Sequence, residues 1–382
     1  VTRVVSVSSS RADVGVLAPV WAALSPRAEL HLLLTGMHLA ENAPHVESVP
    51  SGATVHRGGA DLGGAGGGMA ASAMAAIAEA AGMLYARVAP DAVLVIGDRL
   101  DMLPAATATL PFNIPLVHLH GGEVTEGAVD DRIRHAMTKL AHMHCVSSEG
   151  ARRRLLAMGE EADRIVVTGA PGLDTLNAAP LLPASEFARE AGVDGIEGDL
   201  RALRLVTVHP ETNAADPLAP LYAVLAALDA RPAPTLFTAS NSDPGGEVAR
   251  RRIEAFVAAR RWARFKVNLG SQLYPNALRH AALMLGNSSS GIIEAGLFGL
   301  PVVNVGARQA GRERGTNVID VANSAAAVIA ALDRLGPVPA RAAPATPYGS
   351  GGAGPKVADL LLSLPPRARM LAKPAPREAA RA

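Results

Sequence analysis

Residues 118–144 read His118-Leu-His-Gly-Gly-Glu-Val-Thr-Glu-Gly-Ala-Val-Asp-Asp-Arg-Ile-Arg-His-Ala-Met-Thr-Lys-Leu-Ala-His-Met-His144. The apolar run Ile114-Pro-Leu-Val117 feeds in, Gly121-Gly122 turns the chain, and Ile133, Met137 and Leu140 recur at helical spacing. This is a strand, a loop and a helix, the unit that an open α/β sheet repeats. Histidines 118, 120, 135, 142 and 144 fall here, among Glu123, Glu126, Asp130, Asp131 and Arg134. The acids stand at the strand's C-terminal end and at the helix start, where ligands gather in such sheets. A helix cap accounts for one Asp of the 130–131 pair, since the dipole favours an acid there. Capping does not account for Glu123, the paired glycines and the histidines together.

The same alternation continues on both sides. Val4 to Ser9 ends in Ser10-Arg-Ala-Asp13, and a helical pattern runs from Leu17 to Leu24. A small-residue turn there offers backbone N–H groups to an anion. Leu30 to Leu34 is followed by Thr35-Gly-Met-His38, and Ala92 to Ile96 by Gly97-Asp98-Arg99, which a surface ion pair would also explain. Residues 58–68 are glycine-rich and read as a loop, and 69–87 as an alanine-rich helix. Strand 145–148, helix 150–158 and strand 165–169 follow. Residues 177–202 lack strand signals and carry prolines and charges, so they read as a linker. A second series of strands occupies 203–208, 235–239, 264–269, 282–286 and 301–305. The expected architecture is α/β, with two Rossmann-like doubly wound domains, 1–176 and 203–364, and a disordered tail, 365–382.

Composition agrees. A chain of 382 residues exceeds one ordinary core. Its 49% apolar content includes no unbroken apolar run long enough to cross a membrane, and with the strand pattern Arg3-Val-Val-Ser-Val7 so early no signal peptide is expected. A net charge of +1 and 3% aromatics provide neither a basic field nor stacking platforms, so nucleic acid is not an expected partner. The single cysteine, Cys145, excludes an intrachain disulfide and reads as a buried thiol. A soluble cytoplasmic protein handling a small molecule is expected, with no membrane partner.

In the second half, Gly286-Asn-Ser-Ser-Ser-Gly-Ile-Ile-Glu294 joins a strand end to a helix start. Its backbone N–H groups and the hydroxyls of Ser288 and Ser289 suit a diphosphate, Glu294 suits two ribose hydroxyls, and Arg308 adds phosphate charge. A serine cap followed by an acid is the plainer reading of part of this stretch. His118-x-His120 with Asp131 and His142 suggests a hydrolase metal site. Against it, no HExxH or cysteine pair occurs, and the strand supplies two ligands only. No Gly-x-Ser-x-Gly elbow supports a serine nucleophile. Carboxylates acting as general acid and base fit better.

Taken together, the motifs resemble the hydrolysing UDP-N-acetylglucosamine 2-epimerases. The matching pieces are Ser10-Arg-Ala-Asp13, Thr35-Gly-Met-His38, Gly97-Asp-Arg99, His120-Gly-Gly-Glu-Val124, Asp130-Asp-x-Ile-Arg-His135, Thr138-Lys-Leu-Ala-His142 and Gly169-Ala-Pro-Gly-Leu-Asp174. His209-Pro-Glu-Thr212, Asn241-x-Asp-Pro-Gly-Gly246, Gly286 to Glu294, Arg308-Gln-x-Gly-Arg312 and Pro347-Tyr-Gly349 continue the series. Each is weak alone; the ordered set, from about residue 3 to 364, is specific. The resemblance implies a GT-B-type pair of domains facing a cleft, no cofactor, no metal and a homo-oligomer. It implies that UDP-GlcNAc and water give ManNAc and UDP. It would place Arg11, Ala12, Arg99, His209, Asn241, Leu269, Ser288, Ser289, Glu294 and Arg308 around UDP. It would place Asp98, Glu123, Asp130, Arg134 and His142 near the sugar, with His209 also catalytic.

The chemistry asks for the same parts. Loss of UDP from C1 acidifies the C2 proton, a carboxylate removes it, and water adds to the resulting 2-acetamidoglucal. Close alternatives are a 2-epimerase acting on a UDP- or GDP-linked 2,4-diacetamido-trideoxyhexose, and a metal-dependent hydrolase. A nucleotide-sugar-binding regulator and a GT-B glycosyltransferase are further readings, separated by whether free sugar is released without an acceptor.

Overall fold

The computed structural model describes residues 1–40, 46, 48–62, 67–124, 129–211, 214–240 and 245–373. The chain divides into two compact units, Val1–Thr175 with Tyr348–Ala382, and Leu176–Pro347.

The first unit holds seven parallel strands: β1 (Arg3–Ser8), β2 (Glu29–Leu34), β3 (Thr54–Arg57), β4 (Ala92–Ile96), β5 (Leu116–Leu119), β6 (Met143–Val146) and β7 (Ile165–Val167). Their order is β3-β2-β1-β4-β5-β6-β7, so the winding reverses between β1 and β4. Val4 pairs with Leu30 on one side and Ala92 on the other. Val5, Val7, Leu32, Val93, Val95 and Val117 are buried, as continuous apolar strands must be when helices cover both faces. Helix Gly67–Val88 has the length and composition to cross a membrane, a feature that its scattered glycine, serine and glutamate conceal in the sequence. It packs Ile77, Ala81, Leu84, Tyr85 and Val88 into this core.

The second unit holds β8 (Arg204–Thr207), β9 (Thr235–Thr238), β10 (Ala263–Lys266), β11 (Leu283–Gly286), β12 (Val302–Val305) and β13 (Val318–Val321). All pair in parallel, in the order β10-β9-β8-β11-β12-β13. The winding reverses between β8 and β11, which makes both units doubly wound as expected.

Two boundaries differ from expectation. Residues 177–202 belong to the second unit and contain helix Ala184–Ala191. Phe187 stacks on His280 at 5.0 Å, and Asn276 Oδ1 accepts from the Leu182 N–H at 2.9 Å, so apolar packing and a buried amide hold a segment that looked like linker. From Tyr348 the chain belongs to the first unit again. Asp174 caps helix Ala353–Leu362 by accepting from the N–H groups of Ala353 and Gly354, at 3.1 and 2.7 Å. A Cβ on Gly354 would strike the Pro19 backbone, so the glycine permits this helix to lie close on helix Arg11–Leu24.

The tail expected to be disordered is ordered through residue 373; residues 374–382 lie outside the described residues. Arg164 donates to Met370 O and Ala372 O, each at 2.9 Å. Lys373 Nζ donates to the carbonyls of Thr138, Lys139 and Ala141, at 3.1, 3.1 and 2.7 Å. A cation on the carbonyl end of helix Val129–Leu140 also matches the helix dipole.

Candidate functional site

In the first unit, the connections after two neighbouring strands, β4 and β5, carry the expected acids. Asp98 follows β4, Glu123 follows β5, and Asp130 and Asp131 lie in the first turn of helix Val129–Leu140. Arg134, one turn further along, is buried and joins them. It pairs with Asp98 and Asp131 and donates to Glu123 O at 2.7 Å. A buried guanidinium needs such company, because its five donors cannot be left without acceptors.

Glu123 is oriented from two sides. His120 Nδ1 lies 2.5 Å from its Oε1, and Ser147 Oγ donates to the same oxygen at 2.7 Å. His120 has φ +65°, a left-handed conformation rare outside glycine, and such strain gathers at functional sites. The paired glycines are steric necessities. A Cβ on Gly122 would meet the Ala151 carbonyl, and one on Gly121 would stand 3.0 Å from His118 Nδ1.

His118 is buried within β5 and donates from Nε2 to Gly97 O at 2.8 Å, bracing the turn that carries Asp98. Burial pushes its ring down to about 3, against the upward pull of that hydrogen bond, so the imidazole is neutral. Cys145 is buried as expected, and burial pushes its thiol up to about 12. Such a thiol is no nucleophile.

At the β1–β4 reversal, Ser10 caps helix Arg11–Leu24 and leaves Arg11 and Ala12 exposed at its start. The N–H groups of Ser9 and Ser10 were expected to be open to an anion. Asp13 Oδ2 takes them instead, at 2.7 and 2.8 Å, together with Ser9 Oγ at 2.9 Å. The neighbouring Arg99 donates to Ser9 Oγ and to both oxygens of Asp101.

In the second unit, the loops after β8, β11 and β12 carry His209, Ser288–Ser289 and Arg308. His209 is buried, and burial with the nearby Arg308 charge pushes it down to about 3. Ser288 caps the short helix Ser289–Ile293, and Glu294 follows. Ser290 Oγ donates to Glu294 Oε2 at 2.5 Å, and Tyr274 hydrogen-bonds to Ser290. Burial raises the Glu294 carboxyl against those hydrogen bonds. Leu269 is buried at the start of helix Gly270–His280.

One expected residue stands apart from these groups. His142 lies at the N-terminal edge of the first sheet, the end opposite the acids. Its Nδ1 accepts from the Leu116 N–H at 3.0 Å, and its backbone N–H donates to Leu116 O at 2.8 Å. Burial and the charges of Lys373 and Arg164 push it down to about 4. Its work is to close the sheet edge, which corrects the sugar-side assignment. Asn241 lies outside the described residues, as does Glu126. Among the described residues no group of three His, Cys, Asp or Glu side chains is placed to hold a metal ion.

This distribution can be compared with known proteins. The family model described as UDP-N-acetylglucosamine 2-epimerase matches residues 22–362. The chain belongs to that family. It is 34% identical to a UDP-N,N'-diacetylbacillosamine 2-epimerase (hydrolyzing) of Legionella pneumophila, over 98% of this chain and 99% of that one. It is 32% identical to the UDP-N-acetylglucosamine 2-epimerase of Neisseria meningitidis serogroup B, over 83% of each chain. The crystal structure of UDP-GlcNAc 2-epimerase from Neisseria meningitidis bound to UDP-GlcNAc superposes with a TM-score of 0.76, covering 94% of this chain and all of that one at 18% identity. That likeness confirms the two-domain α/β fold of this family member.

The side chains that orient the site were less visible in sequence than those expected to act. Ser147 and His120 on Glu123, Asp131 on Arg134, and Asn287 beside His209 emerge from the structure. Their one sequence signal is position, immediately after an apolar strand run or one helical turn from the residue they hold.

Proposed function

We propose that this family member is a hydrolysing 2-epimerase of a UDP-linked 2-acetamido sugar, and that the sugar is N,N'-diacetylbacillosamine. The observation that carries the reaction is the meeting of Asp98, Asp131 and the Glu123 backbone carbonyl on the buried Arg134 in the first unit, with Asp130 in the same first helical turn as Asp131. The alignment with the Legionella enzyme over nearly the whole chain favours the sugar.

In this reading the C1–O bond breaks and its electron pair leaves with UDP. A carboxylate takes the C2 proton, and the C1=C2 double bond of a 2-acetamidoglucal forms. Water then adds its hydroxyl to C1, and C2 receives a proton that leaves it with inverted configuration. The products are UDP and 2,4-diacetamido-2,4,6-trideoxymannose. Protons move but no electrons are exchanged, so the reading calls for no redox cofactor. Asp98, Glu123 and Asp130 share the proton transfers, and Arg134 fixes their geometry. Arg11, Ala12, Arg99, His209, Asn241, Leu269, Ser288, Ser289, Glu294 and Arg308 hold UDP. Held neutral, His209 serves as a hydrogen-bonding group rather than a cation.

A second reading takes UDP-GlcNAc as substrate and ManNAc as product. The Neisseria relative and the motif series favour it. Parallel NMR time courses with the two nucleotide sugars, without an acceptor, decide. Faster release of the free trideoxymannose supports the first reading, and faster release of ManNAc the second. Release of neither sugar overturns both.

A further inference from the structure

We propose that Glu211 is a positioning residue, an internal latch that holds the loop after β12 so that Arg308 meets the substrate diphosphate. The inference rests on the reading of the second unit as the UDP-binding part, and it adds a residue that the motif comparison did not place at UDP.

Glu211 Oε1 accepts from two successive backbone N–H groups, Ala307 at 2.8 Å and Arg308 at 3.0 Å. Successive N–H groups of this kind form an anion-binding concavity. Gly306, with φ +81°, makes the turn that aims them, and a Cβ there would overlap Glu211 Oε1. The carboxylate is therefore seated on a surface that only glycine leaves open. Its own backbone is fixed as well. The Glu211 N–H donates to Pro217 O, and Glu211 O accepts from the Ala214 N–H, both at 2.9 Å.

A second set of bonds closes the circuit. Asn287 Oδ1 accepts from the His209 N–H at 2.7 Å, and Asn287 Nδ2 donates to His209 O at 2.9 Å. Asn287 O in turn accepts from Gln309 Nε2 at 2.9 Å and Arg308 Nη1 at 3.3 Å. The loops after β8, β11 and β12 are thus tied to one another at the reversal of strand order. An acid beside a diphosphate site opposes phosphate binding by charge alone, so any benefit of Glu211 is geometric.

Charge and geometry can be separated with two conservative variants. Glu211→Gln keeps an Oε1 acceptor and removes the charge. Glu211→Asp keeps the charge but withdraws the acceptor by one methylene from a fixed backbone. UDP binding by calorimetry on the full chain should be within about twofold of the parent for Glu211→Gln, and about tenfold weaker for Glu211→Asp. In an Arg308→Ala background, Glu211→Asp should cost little further, because the two changes act on one contact. Melting curves of all variants check folding. Equal UDP affinity in Glu211→Asp and the parent overturns the latch, as does a Glu211→Gln variant as weak as Glu211→Asp. So does full additivity with Arg308→Ala. If the parent itself fails to bind UDP, the reading of the second unit fails, and the latch with it; a parent and Arg308→Ala that differ while Glu211 variants do not would sink the latch alone.

Discussion

Arg134 and Asp98 form an ion pair in which the guanidinium is 2% exposed and the carboxylate 26% exposed. The cation is thus the buried member, and it draws the start of helix Val129–Leu140 onto the turn after β4. Arg134→Lys keeps a charge but loses the planar fork that reaches Asp98, Asp131 and Glu123 O together. We expect turnover to fall by about 100-fold, roughly 2.7 kcal/mol of transition-state stabilisation, with UDP affinity changed little. Steady-state kinetics beside calorimetry tests this. Near-native turnover in Arg134→Lys would show that the fork is not needed.

Stability should fall as pH drops below about 6.5. His118 and His209 are held down to about 3 by burial, with Arg308 adding to the effect at His209. In the unfolded chain a histidine titrates at about 6.5. Below that pH the unfolded chain binds protons that the folded chain refuses. Their contribution is therefore complete above about pH 6.5 and is lost as pH falls toward 3, by about 1.4 kcal/mol per pH unit for each group. Urea unfolding at pH 7.5, 6, 5 and 4.5 measures the slope, and His209→Asn should make it shallower by one group's share. A flat profile across that range would contradict neutral burial of both rings.

The basal cluster predicts a separate effect. Burial pushes the Glu160 carboxyl up, but hydrogen bonds from His144, Lys139 and Lys373 and the Lys373 charge outweigh it, taking it down to about 2. Lys373→Ala removes one of these partners and frees the helix-end carbonyls that Lys373 caps. A loss of about 1–3 kcal/mol in unfolding free energy is expected. UDP affinity should not move, since the nucleotide groups proposed for the second unit are untouched. A variant as stable as the parent would mean that the tail merely rests on the first unit.

What was legible in sequence follows from burial. Strands such as β4 and β8 are covered on both faces, so their apolar runs stand out. Edge strands β3 and β13 are largely exposed or half-buried, and polar residues such as Thr54, His56 and Asp320 hid them. Residues 365–373 were misread because their prolines and arginines look like solvent-exposed composition. Carbonyls that receive Arg164 and Lys373 come from residues far away in the chain. His142 illustrates the same limit within one motif. Spacing puts it beside the acids in sequence, but a helix of 12 residues carries it to the other end of the sheet.

Nucleotide binding and ring chemistry should be separable by mutation. Ser289→Ala removes a hydroxyl at the start of helix Ser289–Ile293, and Arg308→Ala removes a cation that reaches the Asn287 carbonyl just before it. Each should weaken UDP binding by about three- to thirtyfold, the worth of one hydroxyl or charge-assisted contact. Calorimetry with UDP alone reads this directly. Unchanged affinity in both variants would move the diphosphate away from the β11 and β12 loops.

The acids of the first unit should act in separable steps. Glu123 is held by His120 and Ser147 through one oxygen, whereas Asp98 is held by Arg134 on a different loop. Asp130 lies in the first helical turn, where the dipole favours a carboxylate. Elimination needs a base at C2, and hydration needs a proton returned to C2 and a water activated at C1. One carboxylate cannot be placed ideally for every transfer. Glu123→Gln, Asp130→Asn and Asp98→Asn should each reduce turnover by about 100-fold or more, while UDP still binds. A variant that has lost mainly the hydration step should release the 2-acetamidoglucal of its substrate, because the elimination half still runs. A variant that has lost the C2 base should make no glucal and hydrate added glucal very slowly. NMR of the reaction mixture distinguishes free sugar, glucal and intact nucleotide sugar in one spectrum. Near-native turnover in all three variants would reduce these acids to caps and ion pairs, and the elimination–hydration assignment would then have to leave the first unit.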